Sequence, residues 1–142
     1  MIIKPTYFDL EELVCQNVFK KYGEFAWNFL DPRLLLNIER IRARIGRQII
    51  INNWRSGGDF SQRGLRCNLC SLVNSKKELY MSAHILGKAV DFNVDGMLAE
   101  EVRVWIYENA RLWPYPMRLE RDVSWVHLDV YDMDEKVYLF KG

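Results

Sequence analysis

The sequence predicts an α+β domain in which helices pack on one face of a mainly antiparallel sheet. Two amphipathic helix patterns with capping signals open the chain, and three short strand patterns joined by polar turns close it. Two further strands, a long loop and a third helix lie between them. With 142 residues, of which 49% are hydrophobic, the chain is long enough for one core and short for two, so residues 1–142 are expected to form a single domain.

The first predicted helix covers residues 10–22. Asp9 can cap it, Glu12 lies three residues further on as in a capping box, and Gly23 can end it. The second helix has the clearest signals, because Asp31 suits the N-cap and Pro32 suits the first helical position. Its apolar face ends before a glycine and consists of Leu34, Ile38, Ile41 and Ile45.

The middle of the chain alternates strands with a long loop. Residues 48–54 form a β-branched run that predicts a buried strand. Residues 55–77 are rich in Gly, Ser, Asn and charge, which predicts a loop of the length that is usually functional or mobile. Residues 88–94 predict a strand carrying Asp91, followed by an Asp-Gly turn at 95–96.

The last third predicts one helix and a sheet. The helix has an apolar face formed by Leu98, Val102, Trp105 and Ile106, and a Trp-Pro-Tyr-Pro stretch at 113–116 breaks it. Residues 117–120, 125–131 and 136–140 predict an antiparallel meander with short polar turns.

The bulk composition excludes several classes of partner. The net charge is +1, from 20 basic and 19 acidic residues, and no basic stripe indicates nucleic-acid binding. No apolar run approaches the roughly 20 residues that a membrane span needs. The first five residues, MIIKP, have no apolar core before the first charge, so we expect no signal peptide and synthesis in the cytoplasm.

The three cysteines do not form an even disulfide framework. Cys67 and Cys70 have the C-x2-C spacing of a zinc knuckle or a redox pair, but no second such pair follows. Cysteines alone therefore cannot complete a closed four-ligand site. We expect Cys15, Cys67 and Cys70 to be reduced thiols without a function.

The two histidines of the chain lie in two short motifs. The first is SAHILGKAVD at 82–91, with His84 and Asp91, and the second is WVHLD at 125–129, with His127. Two imidazoles and one carboxylate, with a fourth position left to water, form the ligand set of a catalytic zinc site. His127 and Asp129 share a strand face, so Asp129 can support His127. A hydrogen-bonded pair of core histidines is the alternative that spacing leaves open.

These motifs resemble the signature of the zinc D-Ala-D-Ala peptidases of the M15 type, whose fold is shared with the hedgehog signalling domain. The matching pattern is S-x-H-x2-G-x-A-x-D at 82–91, followed by W-x-H-x-D at 125–129. The segment IIINNWRS at 49–56 resembles that family's strand ending in a Gly-Tyr-Arg-Ser turn. The resemblance covers most of the chain in order and implies a hedgehog/DD-peptidase-like fold.

Carried over residue by residue, the resemblance makes His84, Asp91 and His127 the ligands of a Zn²⁺ cofactor. It places Arg55 near the carbonyl or terminal carboxylate of the substrate, where a guanidinium stabilises negative charge. It places Ser82 at the pocket rim as a substrate-binding residue. The alternative for Arg55 is a solvated loop arginine.

One departure concerns the general base. Many members have an acidic residue three positions before the last histidine, where this chain has Ser124. A metallopeptidase needs a carboxylate to take the proton of the attacking water. If residues 121–124 form a hairpin turn, Glu120 pairs with Trp125 and lies one diagonal step from His127. We therefore expect Glu120, rather than Asp122 in the turn, to be the catalytic carboxylate.

The resemblance implies a zinc metallopeptidase that hydrolyses amide bonds in peptidoglycan stem peptides, as a D,D-carboxypeptidase or an endopeptidase. A protein of this kind without a signal peptide is expected to be a phage-type lysin, released by lysis or carried on a virion. The alternative is a non-catalytic, zinc-containing module that binds peptidoglycan or another partner and has lost the base, which Ser124 favours.

Overall fold

A mixed sheet of five strands, in the order β1-β2-β4-β3-β5, is the centre of the computed structural model, which describes residues 2–142. The strands are β1 Ile49–Ile50, β2 Ala89–Val94, β3 Met117–Arg121, β4 Val126–Asp129 and β5 Val137–Lys141. The α-helices are α1 Leu10–Leu13, α2 Gln16–Tyr22, α3 Pro32–Ile45, α4 Ser71–Asn74 and α5 Ala99–Glu108. Short 3₁₀ helices occupy Gly23–Phe29, Trp54–Ser56 and Ala110–Leu112. The predicted α+β class is confirmed.

The predicted antiparallel meander is wrong in its last step. Strand β4 pairs antiparallel with both β2 and β3, so neither of its edges is free. The chain therefore crosses to the outer edge of β3, where β5 pairs in parallel with Met117 opposite Val137. This parallel pair makes the sheet mixed.

The first predicted helix is divided in two. Its start is as expected, because the Asp9 backbone N–H donates to the Glu12 carboxylate at 2.8 Å and completes a capping box. Val14 and Cys15 are extended, since Val14 pairs with Leu65 of the later loop. The carbonyl of Val14 also accepts hydrogen bonds from the side chains of Asn52 and Trp54. These long-range partners replace the hydrogen bonds of a continuous helix.

The second helix is as predicted. Its N-cap is Asp31, whose side chain accepts a hydrogen bond from the Arg33 backbone N–H at 2.9 Å, and Pro32 is its first residue. It ends at Gly46, which has a left-handed φ of 67°. The buried face includes Leu34, Ile38 and Ile41. Asp31 also accepts from Lys88 Nζ at 2.9 Å, which connects α3 to the start of β2.

The strand predicted at 48–54 is reduced to Ile49–Ile50. Beyond it, the Asn52 side chain accepts a hydrogen bond from the Arg63 backbone N–H and donates one to the Val14 carbonyl. The next two backbone N–H groups, of Asn53 and Trp54, both donate to the Phe60 carbonyl. The segment after β1 therefore binds the long loop instead of continuing the sheet. Between residues 2 and 142, no helix is long and apolar enough to cross a membrane.

Candidate metal centre

His84, Asp91 and His127 meet at one point. One possible ligand atom from each lies within 4.8 Å of the other two, and all three residues are buried. The His84 and His127 ring centroids are 5.3 Å apart. The structure thus brings together the three residues that the two sequence motifs single out.

Strand pairing positions two of them. Asp91 of β2 and His127 of β4 are direct cross-strand partners, so their side chains lie on the same face of the sheet. The Asp91 Oδ1 atom accepts a hydrogen bond from His127 Nδ1 at 2.8 Å. The register between the two central strands therefore determines this contact.

His84 reaches the same point from the turn before β2. Its Nδ1–H donates to the carbonyl of Gly64 at 2.9 Å, and its Nε2 lies 3.2 Å from Asp91 Oδ2. Gly87 closes the turn with a φ of 70°, and a Cβ at Gly87 would meet the carbonyl of Phe29. Only glycine fits this close approach, which explains the small residue between His84 and Asp91.

Asp129 and Arg118 hold the other side of His127. The Nε2–H of His127 donates to Asp129 Oδ2 at 2.8 Å. Arg118 donates to both oxygens of Asp129, at 2.7 and 2.9 Å. A carboxylate on the far nitrogen sets the orientation and tautomer of a metal-binding histidine, so Asp129 has the supporting position expected from the sequence.

The hydrogen bonds direct one ring nitrogen of each histidine at the carboxylate of Asp91. His84 donates through Nδ1 to the Gly64 carbonyl, so its Nε2 faces Asp91. His127 donates through Nε2 to Asp129, so its Nδ1 faces the same carboxylate. A cation held between these atoms would replace the hydrogen-bonding protons and would accept the lone pairs of the two nitrogens.

The pKa shifts have the same origin. Burial by itself would raise the pKa of Asp91, but hydrogen bonds from His127 and His84 outweigh it and hold that pKa below the usual range. Burial would lower the pKa of His127, but its hydrogen bonds to Asp129 and Asp91 raise it to about 9. Two carboxylates therefore stabilise positive charge at this point.

The three residues lie in the wall of a cavity of about 570 Å³. Ser82 and Glu120 line the same cavity. A neighbouring cavity of about 530 Å³ shares Asp91, Arg66 and Trp125 with it. The two cavities are therefore adjacent and share part of their walls, including Asp91.

The predicted register of β3 and β4 is wrong by two residues. Arg118 pairs with Asp129 and not with His127, and Leu119 pairs with Leu128. Continuing this register by one residue brings Glu120 opposite His127 rather than Trp125. The turn is longer because Arg103 donates to the carbonyls of Val123 and Trp125 at 3.0 and 2.8 Å. The face of Glu120 is unchanged by a shift of two.

Asp122 lies elsewhere. It is exposed, has a left-handed φ of 65°, and lines a depression with Glu100 and Arg103 of α5. Glu120 is half-buried in the wall of the candidate metal centre. The structure thus separates the two acidic residues that the sequence left as alternatives.

Arg55 is not brought to the centre. It is 64% exposed, lies 3.9 Å from Glu11, and stacks over Phe19 in a different cavity. The physical reason is the 3₁₀ turn at Trp54–Ser56, which ends the β1 segment early and directs Arg55 toward α1 and α2. The surroundings of Arg55 are thus those of the alternative prediction, a solvated loop arginine.

Two other arginines of the same loop lie beside the centre. Arg66 is 3.4 Å from Asp91 Oδ2, and its Nε donates to the Gln62 carbonyl at 2.6 Å. Arg63 is 9% exposed and donates to Asn93 at 2.6 Å, and among residues 2–142 its buried Nη1 finds no partner. Sequence reasoning missed both, because nothing local distinguishes them from Arg55. The one signal in the sequence was the length of the loop that contains them, which is typical of a functional or mobile segment.

Comparison of the chain with protein-family models, curated proteins and solved structures gives no match.

Proposed function

We propose that this protein is a zinc metallopeptidase of the M15 type, with the hedgehog/DD-peptidase fold, that hydrolyses amide bonds in peptidoglycan stem peptides. The observation that carries the proposal is the convergence of His84, Asp91 and His127 within 4.8 Å, in the wall of an open cavity. The supporting observation is that Glu120 lines that cavity without contributing to the three-residue cluster.

The donor set fits zinc. His84 Nε2, an Asp91 oxygen and His127 Nδ1 are nitrogen and oxygen ligands, and three protein ligands leave one position open, as in catalytic zinc sites. When bound, zinc supplies a Lewis acid for the scissile carbonyl and an activated water near neutral pH. Asp129 keeps the His127 ring in place while Arg118 neutralises the charge of Asp129.

Glu120 has the role of general base. It takes a proton from the attacking water and delivers it to the leaving amine, which requires a carboxylate in the cavity wall. Ser82, at the same cavity, donates or accepts a hydrogen bond at the substrate backbone. Both roles use residues that the structure places beside the three candidate ligands.

Arg63 and Arg66 assume the role that the family resemblance gives to Arg55. Arg63 lines a cavity that it shares with Asp91, and among residues 2–142 its buried Nη1 has no hydrogen-bond partner. A stem peptide has carboxylate groups, and an Arg fork is suited to bind them. These two arginines therefore bind the substrate carboxylate or stabilise the negative charge that develops on its carbonyl.

The second candidate function is a zinc-containing binding module without catalysis. The observation that favours it is Ser124, an exposed residue at the position where the family has its base. A protein of this kind would retain zinc and bind peptidoglycan without cleaving it. The two functions differ only in whether Glu120 replaces the missing carboxylate.

Digestion of purified peptidoglycan, read by mass spectrometry, distinguishes them. We expect the zinc-loaded protein to release D-alanine or to open cross-links, and expect chelator-treated protein and His127→Ala to release neither. The products also decide between carboxypeptidase and endopeptidase. Zinc-loaded protein that sediments with peptidoglycan but produces no fragment would establish the binding module. Protein that neither retains zinc nor cleaves would refute both functions.

A further inference from the structure

The three cysteines of the chain meet at a second point. One sulfur atom from each lies within 4.8 Å of the other two, although Cys15 is distant in sequence from Cys67 and Cys70. The Sγ atoms of Cys67 and Cys70 are 3.9 Å apart. Cys15 and Cys70 are buried, Cys67 is half-buried, and all three are free thiols. The C-x2-C pair, which looked incomplete in the sequence, thus has a third sulfur beside it.

A short backbone pairing brings Cys15 to the pair. The Cys15 N–H donates to the Leu65 carbonyl at 3.0 Å, and the Leu65 N–H donates to the Leu13 carbonyl at 2.8 Å. Gly64 makes this approach possible, because a Cβ at Gly64 would meet the Leu13 carbonyl. The pairing holds the start of α2 against the loop residues just before Cys67.

Hydrogen-bond donors are directed at the sulfur atoms. The Leu69 backbone N–H donates to Cys67 Sγ at 3.4 Å, and the Cys67 N–H donates to Cys70 Sγ at 3.4 Å. The Asn17 side-chain amide donates to Cys67 Sγ at 3.8 Å. Such donors stabilise thiolates, and groups of this kind surround the ligands of metal sites. Core cysteines that serve only as small apolar side chains do not need them.

We propose that Cys15, Cys67 and Cys70 bind a second zinc ion as three thiolates, with solvent in the fourth position. Three soft sulfur ligands select a thiophilic cation, and zinc takes the four-coordinate geometry that three thiolates and one solvent ligand complete. Binding releases the thiol protons to solvent. The half-buried Cys67 leaves a side of the cluster open for that solvent ligand.

The second ion has a structural role. It connects α2 to the loop at residues 65–70, directly beside Gly64 and Arg66. Gly64 accepts the hydrogen bond of His84, and Arg66 contacts Asp91. A cross-link at the cysteines therefore fixes the loop that supports the candidate metal centre, without taking part in its chemistry.

Cobalt substitution tests the proposal independently of the first site. Reduced, metal-free wild-type protein is titrated with Co²⁺, which gives an intense near-ultraviolet charge-transfer band only when thiolates bind it. We expect the band to saturate by two equivalents in wild type, where the candidate metal centre also takes cobalt, and at one equivalent in His127→Ala. His127→Ala should retain the band and Cys67→Ser should lose most of it. Ser71→Ala, a change beside Cys70 that removes no sulfur, is the matched control and should retain it.

A second measurement on the wild-type protein covers the case in which Cys67→Ser fails to fold. A thiol-specific mercurial should release one equivalent of zinc from the native protein, detected with a chromophoric chelator. No charge-transfer band in folded, reduced wild-type protein would overturn the proposal. A Cys67–Cys70 disulfide in the protein as purified, or no zinc release by the mercurial, would overturn it as well.

Discussion

At the residue scale, the central question is which carboxylate accompanies the candidate ligands. Asp91 is a ligand candidate because it faces both histidines, and Asp129 is occupied by His127 and the bidentate contact with Arg118. Glu120 is the acidic residue of the cavity wall that takes no part in these contacts. The proposed mechanism therefore depends on Glu120, which strand pairing predicted and which lies away from the family's usual position at Ser124.

The first prediction compares Glu120→Gln with Asp122→Asn. Glu120→Gln should retain zinc, because Glu120 is not in the ligand cluster, yet lose about 10²–10⁴-fold in hydrolysis of stem peptides. Asp122→Asn is the matched control and should be nearly silent, since Asp122 lies in the exposed turn. Rates and bound zinc are measured for both. A larger loss for Asp122→Asn would make Asp122 the base, and two fully active variants would exclude the mechanism.

At the element scale, the loop at 55–77 supplies the groups that surround His84 and Asp91 in the candidate metal centre. It supplies the Gly64 carbonyl to His84, and it places Arg63 and Arg66 beside Asp91. Short backbone pairings hold it, among them the Asp91 N–H to the Arg63 carbonyl at 2.7 Å. Because Asp91 lies on β2, this hydrogen bond fixes the loop to the sheet.

The second prediction concerns the arginines of this loop. Arg63→Ala should lower kcat/KM on stem peptides by on the order of 10²-fold, because a buried guanidinium beside the centre no longer binds substrate charge. Arg55→Ala should leave the rate close to that of wild type, since Arg55 is exposed in another cavity. Circular dichroism checks that both variants fold. The reverse ranking would restore Arg55 to the role that the family resemblance implies.

The third prediction concerns the start of α3. Burial would raise the pKa of Asp31, but hydrogen bonds from Arg33 and Lys88 outweigh it and lower that pKa from its usual 3.8. The contact therefore stabilises the folded state fully above about pH 4 and is lost as the pH falls through the lower, folded-state pKa. Asn also caps helices, so Asp31→Asn removes only the charge.

We expect Asp31→Asn to lose roughly 1.5–3 kcal/mol of unfolding free energy at pH 7, the range for hydrogen bonds to charged groups. The difference from wild type should shrink as the pH falls below 4, as measured by urea unfolding. Asp132→Asn is the control, because Asp132 contacts the same Arg33 at 2.9 Å but is fully exposed, and it should change nothing measurable. Equal effects of both variants at every pH would contradict the assignment.

At the scale of the whole molecule, the candidate centre connects three separate parts of the fold. His84 comes from the turn before β2, Asp91 from β2 itself and His127 from β4. A ligand that binds only the folded arrangement stabilises it by mass action. Zinc should therefore act on the stability of the entire domain.

The fourth prediction is a zinc-dependent rise in melting temperature. At free zinc about 1,000-fold above its Kd, the centre contributes about 4 kcal/mol, which corresponds to roughly 10 °C or more for a domain of this size. Calorimetry with and without zinc measures the shift in wild type and in His127→Ala. The shift should be smaller in His127→Ala by this amount, because only the cysteine cluster remains. Equal shifts in the two proteins would show that His127 does not hold zinc.

Local signals in the sequence determined much of the framework. Capping residues and apolar periodicity predicted α3 with its ends at Asp31 and Gly46, and the start of α1 at Asp9. The three candidate ligands were also predictable, because they belong to two motifs that each span only a few residues. Signals of this kind act between neighbours along the chain, so the sequence shows them directly.

Only the tertiary structure decided what depends on distant partners. The break at Val14, the short β1 and the parallel β5 follow from pairings with residues far away in the chain. The same is true of the cavities, since Arg63 lines one that includes Asp91 and Arg55 lines another, and of Cys15 joining the C-x2-C pair. Strand register and loop packing depend on many contacts between distant segments, so they cannot be predicted from any one segment of the sequence.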